Sequence, residues 1–179
     1  QQLDVSEANR LGNRFHQIRI PTLEEAVQLL LQWPNRHAFL EIKVESLKQF
    51  GTHKVVKAIL AALEPCMEQI TIISQDSLVL SHARALGMQT VGWIIDAWEE
   101  SSRSAAAKLV PNYIFINHKK IPLHVPRLWP GPWEWVLYDI TDPQLARVLA
   151  TWGSAFIETW DIETMLRNSK LRPKACIEN

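Results

Sequence analysis

Apolar residues along this 179-residue chain fall into two alternating spacings, one helical and one extended. The segment Pro21-Thr22-Leu23-Glu24-Glu25 marks the first helix, because Thr22 can cap it while Glu25, three residues on, reaches back to complete a capping box. Ala26, Val27, Leu29, Leu30 and Leu31 form its broad apolar face. Pro34 ends it, since proline lacks an N–H and clashes with the preceding turn. The run from His37 to Val44 reads as a strand. Val55, Val56, Ile59, Leu60 and Leu63 then recur at helical spacing up to Pro65, and the β-branched run Ile70-Thr71-Ile72-Ile73-Ser74 reads as a second strand.

The same alternation continues to the end of the chain. The spacing predicts a helix over 77–86 with Gly87 as a left-handed stop, a strand over 90–95, a helix over 98–110 and a strand over 113–117. Pro122, Pro126, Pro130 and Pro132 make 119–133 an irregular crossover. A strand follows over 134–138. Asp142 then caps a helix with Pro143 at its first position and Gly153 at its end, and a strand over 155–159 precedes a helix capped by Asp161 and running through Leu166.

Six strands alternating with helical crossovers, most of them apolar on both faces, imply a parallel sheet of the α/β class. A (β/α)8 barrel needs eight strands and about 250 residues, so this chain would be two strands short, whereas an open doubly wound sheet needs only about five or six. No glycine-rich phosphate fingerprint follows any of the strands, which counts against a dinucleotide-binding sheet.

Composition narrows the partners. With 47% of its residues hydrophobic the chain can bury a single core, and its 19 basic and 19 acidic side chains cancel. No whole-protein field draws it to nucleic acid or to an anionic membrane, and no run of roughly 18 apolar residues spans one. Cys66 and Cys176 fit neither a zinc spacing nor a disulfide framework. Both read as free thiols, which favours a reducing, cytoplasmic setting.

Strand alternation puts Phe39, Glu41 and Lys43 on one face of the first strand and Ala38, Leu40, Ile42 and Val44 on the other. The apolar set belongs against the helices. Glu41 and Lys43 are therefore expected to point inward, two apart on a buried strand, at the end where barrel enzymes place catalytic groups. Unpartnered buried charges cost several kcal/mol each, so these two need one another, a cation or an anionic ligand. A metal with a phosphate satisfies both, and so does a salt bridge inside the barrel; spacing alone leaves the two open. None of the histidines, His16, His37, His53, His82, His118 and His124, forms an HxH or HExxH pair, so each reads as a surface or structural residue. The tryptophans read mainly as packing, with Trp129, Trp133 and Trp135 beside the prolines placed to line a surface groove.

The order Ile20-Pro21-Thr22-Leu23-Glu24-Glu25-Ala26, a helix, then Phe39-Leu40-Glu41-Ile42-Lys43 resembles the middle of a glycerophosphodiester phosphodiesterase. That family is a TIM barrel with an IPTLEE helix start followed by an EIK or ELK strand. Ile72-Ile73-Ser74 is similar to its SSF strand, the segment from Tyr138 to Pro143 stands in the place of its WTVNDP, and Gly153 through Thr159 looks like its closing GVDGIIT. The resemblance implies that residues 1–179 are one domain supplying about the last six strands of a TIM (β/α)8 barrel, truncated at its N-terminal side.

It also implies metal-dependent hydrolysis of glycerophosphodiesters to glycerol 3-phosphate and an alcohol. Glu41 would be a ligand of a divalent cation, Mg2+ or Ca2+, and Lys43 would contact the phosphate or glycerol of the substrate. Tyr138 would offer the glycerol an aromatic wall, although core packing is the commoner fate of such a residue. The residue types suit these roles, because a hard cation wants carboxylate oxygens and a lysine serves as a point charge beside them. The family's other acidic ligands come from an ELDV-like strand and its general acid and base from HRG and HD motifs, all upstream of the IPTLEE helix and unmatched here. No catalytic residue is therefore expected within this chain, and alone it is expected to be inactive. Gln75, Tyr138, Phe156 and Trp160 depart from the family pattern at the other strand ends. The same deficit supports a reading of another class, an inactive barrel fragment that binds partners or itself through its open sheet edges.

Overall fold

In the computed structural model, residues 8–15, 18–122, 124–125, 127–168 and 171 are described. A short helix α1, Ala8–Leu11, and a 3-10 turn, Gly12–Phe15, come first. The capping box then forms as the sequence predicts: the Glu25 N–H donates to the Thr22 hydroxyl at 3.2 Å, and the Thr22 N–H donates to the Glu25 carboxylate at 2.7 Å. It opens helix α2, Leu23–Leu31.

Strand β1, Ala38–Glu41, is shorter than its alternating pattern suggests. Lys43 already caps a further helix, α3, Val44–Phe50, which the sequence reading passed over. Val44 looks like one more alternating strand position, yet Leu47, three residues on, is the buried residue of a helical turn. Gly51, at φ 81°, separates α3 from α4, Thr52–Leu63. The remaining elements follow the predicted order: a 3-10 segment Glu64–Gln69, β2 Ile70–Ser74, α5 Ser77–Ala85, β3 Val91–Ile94, α6 Glu100–Leu109, β4 Tyr113–Asn117, a 3-10 turn His118–Lys120, β5 Glu134–Tyr138, α7 Pro143–Thr151, β6 Ser154–Ile157 and α8 Ile162–Arg167.

The six strands run parallel in the order β1-β2-β3-β4-β5-β6. A doubly wound sheet reverses its strand order at a switch point, and none occurs here, so the winding is that of a barrel. Side chains on the concave face show how strongly the sheet curls. In a flat sheet β1 and β6 would lie five spacings of about 4.8 Å apart, roughly 24 Å. Instead the ring of Phe39 on β1 lies 6.2 Å from that of Phe156 on β6 and 5.2 Å from that of Phe115 on β4. The architecture is an incomplete α/β TIM barrel.

Three apolar layers follow from the alternation. Ile73, Ile94, Phe115 and Val136 fill the concave side with Phe39, Tyr113 and Tyr138 against them. On the convex side one cluster, including Ile42, Leu63, Ile72 and Val79, joins β1–β3 to α2, α4 and α5. Another, including Ile114, Ile116, Leu137 and Leu149, joins β4 and β5 to α7. The tryptophans beside the prolines pack in or against this second cluster, and of the three Trp133 also lines an open groove, with Pro132, Glu134 and Tyr113. Trp98 stacks on Trp129 at 4.0 Å, and the Trp135 indole donates to the Trp129 carbonyl at 2.9 Å. Cys66 is buried with a free thiol; Cys176 and His16 lie outside the described residues.

The concave layer depends on one small residue. A Cβ at Gly92 on β3 would stand 2.9 Å from Ile73 Cγ2, 3.0 Å from a ring carbon of Phe115 and 3.2 Å from Tyr113 Cβ. Overpacking of that kind costs roughly 1–3 kcal/mol. Gly92→Ala is expected to lower stability by about that amount in urea titration, with the slope of the transition unchanged.

Candidate functional site

The mouth of the curled sheet is set by hydrogen bonds at the end of β1. The buried Ser74 hydroxyl donates to the Ile42 carbonyl at 2.8 Å, and the Ile42 N–H donates to the Ile73 carbonyl at 2.8 Å. Ile42, only 2% exposed, is thereby pinned in the convex cluster, and Glu41 faces the concave side. The chain then turns into α3. Lys43 lies beyond the strand, and its Nζ returns to the Glu41 carboxylate at 2.7 Å.

This corrects the expectation of two buried charges on one strand. The Lys43 side chain is 64% exposed and that of Glu41 30%, so the pair stands at the rim and each satisfies the other. Its hydrogen bond to Glu41 raises the Lys43 pKa against a smaller opposing effect of burial. Exposed ion pairs contribute roughly 0–1 kcal/mol to folding. The fold does not depend on this one.

Glu41 and Lys43 share a cavity of ≈ 230 Å³ with Gln75, Tyr138, Asp139 and Glu158, floored by Ile73, Ile94 and Phe115. The polar residues lie at or just past the C-terminal ends of strands, which is why four separate stretches of sequence meet there above the apolar floor. Tyr138, the third residue expected at the site, does line this cavity at the end of β5. Burial raises its phenol pKa, and the carboxylates of Asp96, Asp139, Glu158 and Glu41 add to the shift.

Two acidic residues of the cavity went unnoticed in the sequence. Asp139 has a left-handed backbone, φ 64°, a conformation that aspartate tolerates better than most residues. Its carboxylate accepts from Asn117 Nδ2 at 2.7 Å. Glu158 is fixed by its N–H donating to the Leu137 carbonyl at 2.9 Å and its carbonyl accepting from the Ile140 N–H at 3.3 Å. Partial burial of its carboxyl raises the Glu158 pKa, followed by the like charges of Asp139 and Glu41, with Lys43 opposing them. A signal for Glu158 was present: Phe156-Ile157-Glu158 repeats the pattern of Phe39-Leu40-Glu41. On the neighbouring rim Asp96 accepts from Gln75 Nε2 at 3.3 Å and pairs with Lys120 at 3.5 Å. His118 hydrogen-bonds the Asp139 backbone, while burial lowers its pKa overall.

Three carboxylates thus face one ammonium across the cavity, a charge balance that suits a cation. The donor geometry is less complete. Among the described residues no three His, Cys, Asp or Glu side chains come close enough together to hold a metal ion, and Glu41 is engaged by Lys43. These side chains do not by themselves make a Mg2+ or Ca2+ centre. Among the described residues no helix is long and apolar enough to cross a membrane.

Neither family models nor curated protein sequences match this chain. Solved structures do. An Oleispira antarctica phosphodiesterase in complex with the product sn-glycerol-3-phosphate superposes with a TM-score of 0.69 at 19% identity, over 88% of this chain and 64% of its own. A candidate glycerophosphoryl diester phosphodiesterase from Silicibacter pomeroyi gives 0.70 at 18%, over 87% and 60%. A glycerophosphodiester phosphodiesterase from Parabacteroides distasonis gives 0.65 at 15%, over 83% and 63%. The chain therefore spans less than two thirds of the length of each of these proteins, and over that length it has the fold of glycerophosphodiester phosphodiesterases.

The raised pKa of Glu158 makes stability depend on pH. In the folded chain Glu158 keeps its proton above the 4.5 at which an unperturbed glutamate loses it. Across that interval the folded state binds more protons than the unfolded one, so stability falls as pH rises from about 4.5 through the folded value. Glu158→Gln is expected to remove this fall and to raise the thermal midpoint at pH 7 relative to the parent. Melting curves between pH 4 and 7 read both effects.

Proposed function

We propose that this chain forms the phosphate-binding side of a metal-dependent phosphodiesterase that hydrolyses glycerophosphodiesters to glycerol 3-phosphate and an alcohol. The supporting observation is the meeting of Glu41, Lys43 and Tyr138 in one cavity at the C-terminal mouth of a barrel sheet. The likeness of that sheet to a phosphodiesterase in complex with sn-glycerol-3-phosphate adds to it. Lys43 would be the residue that touches phosphate: an ammonium has three donors, and Glu41 engages one while fixing the direction of the others. Charge gathering on the phosphoryl oxygens as the ester breaks would then meet a cation already in place. Tyr138 would wall the glycerol. Glu41 would also contribute one ligand to a Mg2+ or Ca2+ ion, with further ligands outside the described residues. The free thiol of Cys66 accords with a reducing, cytoplasmic setting.

The test compares the 179-residue chain with the full reading frame that encodes it, each offered a glycerophosphodiester with Mg2+ or Ca2+. Release of glycerol 3-phosphate is expected from the full product, falling about 10²–10³-fold in kcat/KM for Lys43→Ala and for Glu41→Gln, as for loss of a group that stabilises the transition state. Folding stability should change by no more than about 1 kcal/mol in either variant. Turnover that survives both substitutions unchanged rules the reading out.

A second reading is an interaction module. Among the described residues the end strands β1 and β6 each pair with one strand of the sheet. Beside β1, Leu23, Leu29, Leu30 and Trp33 line an apolar groove of ≈ 450 Å³, and Phe156 and Trp160 at the other end are exposed. Such edges favour pairing with a second copy of the chain. On this reading sedimentation should show a dimer at micromolar concentration that Trp33→Glu disperses; a monomer throughout excludes it.

A further inference from the structure

Away from the cavity, on the helical layer, two histidines 29 residues apart in sequence meet. His53 lies in the first turn of α4 and His82 in the last turn of α5. The Nδ1 of His53 stands 3.2 Å from the Nε2 of His82. Their rings are tilted by 60°, so ring edges rather than faces oppose one another. We infer that this pair is a surface site for a divalent transition-metal ion of the zinc class, tying α4 to α5.

The argument is geometric. Two imidazole nitrogens bound to a tetrahedral ion, each at about 2.05 Å, stand roughly 3.3 Å apart. The observed spacing is within a few tenths of an ångström of that bite, so the rings need only pivot for both lone pairs to reach one ion. Without metal, one ring offers its N–H and the other its lone pair. Metal binding requires the donor ring to change tautomer, its proton passing through water to its other ring nitrogen, so that both rings act as neutral ligands and no net proton is released. Both helices are held by the convex cluster through Val56, Leu60, Val79 and Leu80, so the ligand spacing is set by a packed scaffold rather than by loops. Water completes the coordination. On the groove that runs beside His53, Lys57 opposes a cation and Glu64 favours one. Imidazole ligands suit Zn2+, Ni2+ and Cu2+, whereas Mg2+ and Ca2+ prefer oxygen, so this site and the mouth cavity would take different ions.

The test uses the 179-residue chain carrying Cys176→Ser, which prevents a thiolate from competing for zinc. Zn2+ or Ni2+ at about 0.1 mM is expected to raise the thermal midpoint in a concentration-dependent way, since a ligand that binds only the folded state stabilises it. Mg2+ at the same concentration should not. Loss of an outer-shell partner already weakens metal sites by about 10–100-fold. His53→Ala and His82→Ala should each therefore lower Zn2+ affinity at least about tenfold by calorimetry, while His124→Ala leaves it unchanged. In NMR spectra Ni2+ should broaden the ring signals of His53 and His82 before those of any other histidine, a readout that needs no substitution. Absence of Zn2+ binding, binding undiminished in either alanine variant, or first broadening at another histidine overturns the assignment.

Discussion

Contact between Phe39 and Phe156 across the interior of the sheet governs what the rest of the structure can do. These rings sit on the first and last strands, and their 6.2 Å separation requires the intervening four strands to curl. The curl is filled rather than hollow, because Phe115, Tyr113, Ile73, Ile94 and Val136 occupy the concave side and Gly92 leaves room for them. Alternation then carries the consequence upward. Glu41 lies two residues past Phe39 and Glu158 two past Phe156, so the strands that bring the rings together also bring the carboxylates into one cavity.

The cavity is polar where the layer beneath it is apolar, and its charges are held loosely in energetic terms. Glu41 and Lys43 form a short ion pair, yet both are open enough to water that the pair adds little to folding. Ser74 and Ile42 position the pair, through a buried hydroxyl and a buried side chain that the fold needs in any case. Under the proposed function, stability and ligand recognition would therefore be carried by different atoms at the same strand end. Replacing the charges leaves the strand end intact.

Much of the architecture was legible in the sequence where local chemistry is unambiguous. Thr22 with Glu25 and Asp142 with Pro143 mark helix starts by side-chain geometry that needs no tertiary context, and strands β2, β4 and β5 fall on their predicted bounds. Helix α3 escaped because Val44 extends the alternation of β1 by one apolar residue, and only burial of Leu47 decides between strand and helix. Alternation puts Glu41 on the concave face, where it is found, but it also keeps Lys43 on the strand and buried, whereas Lys43 lies beyond the strand and open to water; the place of Tyr138 was legible only through resemblance. Asp139 depends on a left-handed backbone and Glu158 on the curl of the sheet. The His53–His82 contact is set by how α4 packs on α5, a relation that no spacing along the chain encodes.

Under the proposed function, the balance of charge at the mouth limits how phosphate would bind. Among the described residues that line the cavity Lys43 is the single cation, and it faces Glu41, Asp139 and Glu158. A phosphodiester brings at least one negative charge, so its attraction to Lys43 competes with repulsion from groups within the same ≈ 230 Å³. Protonation of Glu158 removes one repulsive charge, and burial and its carboxylate neighbours already push it in that direction. A second cation would remove more, and it would gain from the surplus of carboxylates that disfavours the anion. Under the proposed function the two ligands are therefore coupled: each neutralises the charge that opposes the other, and the affinity for either alone is the lower one.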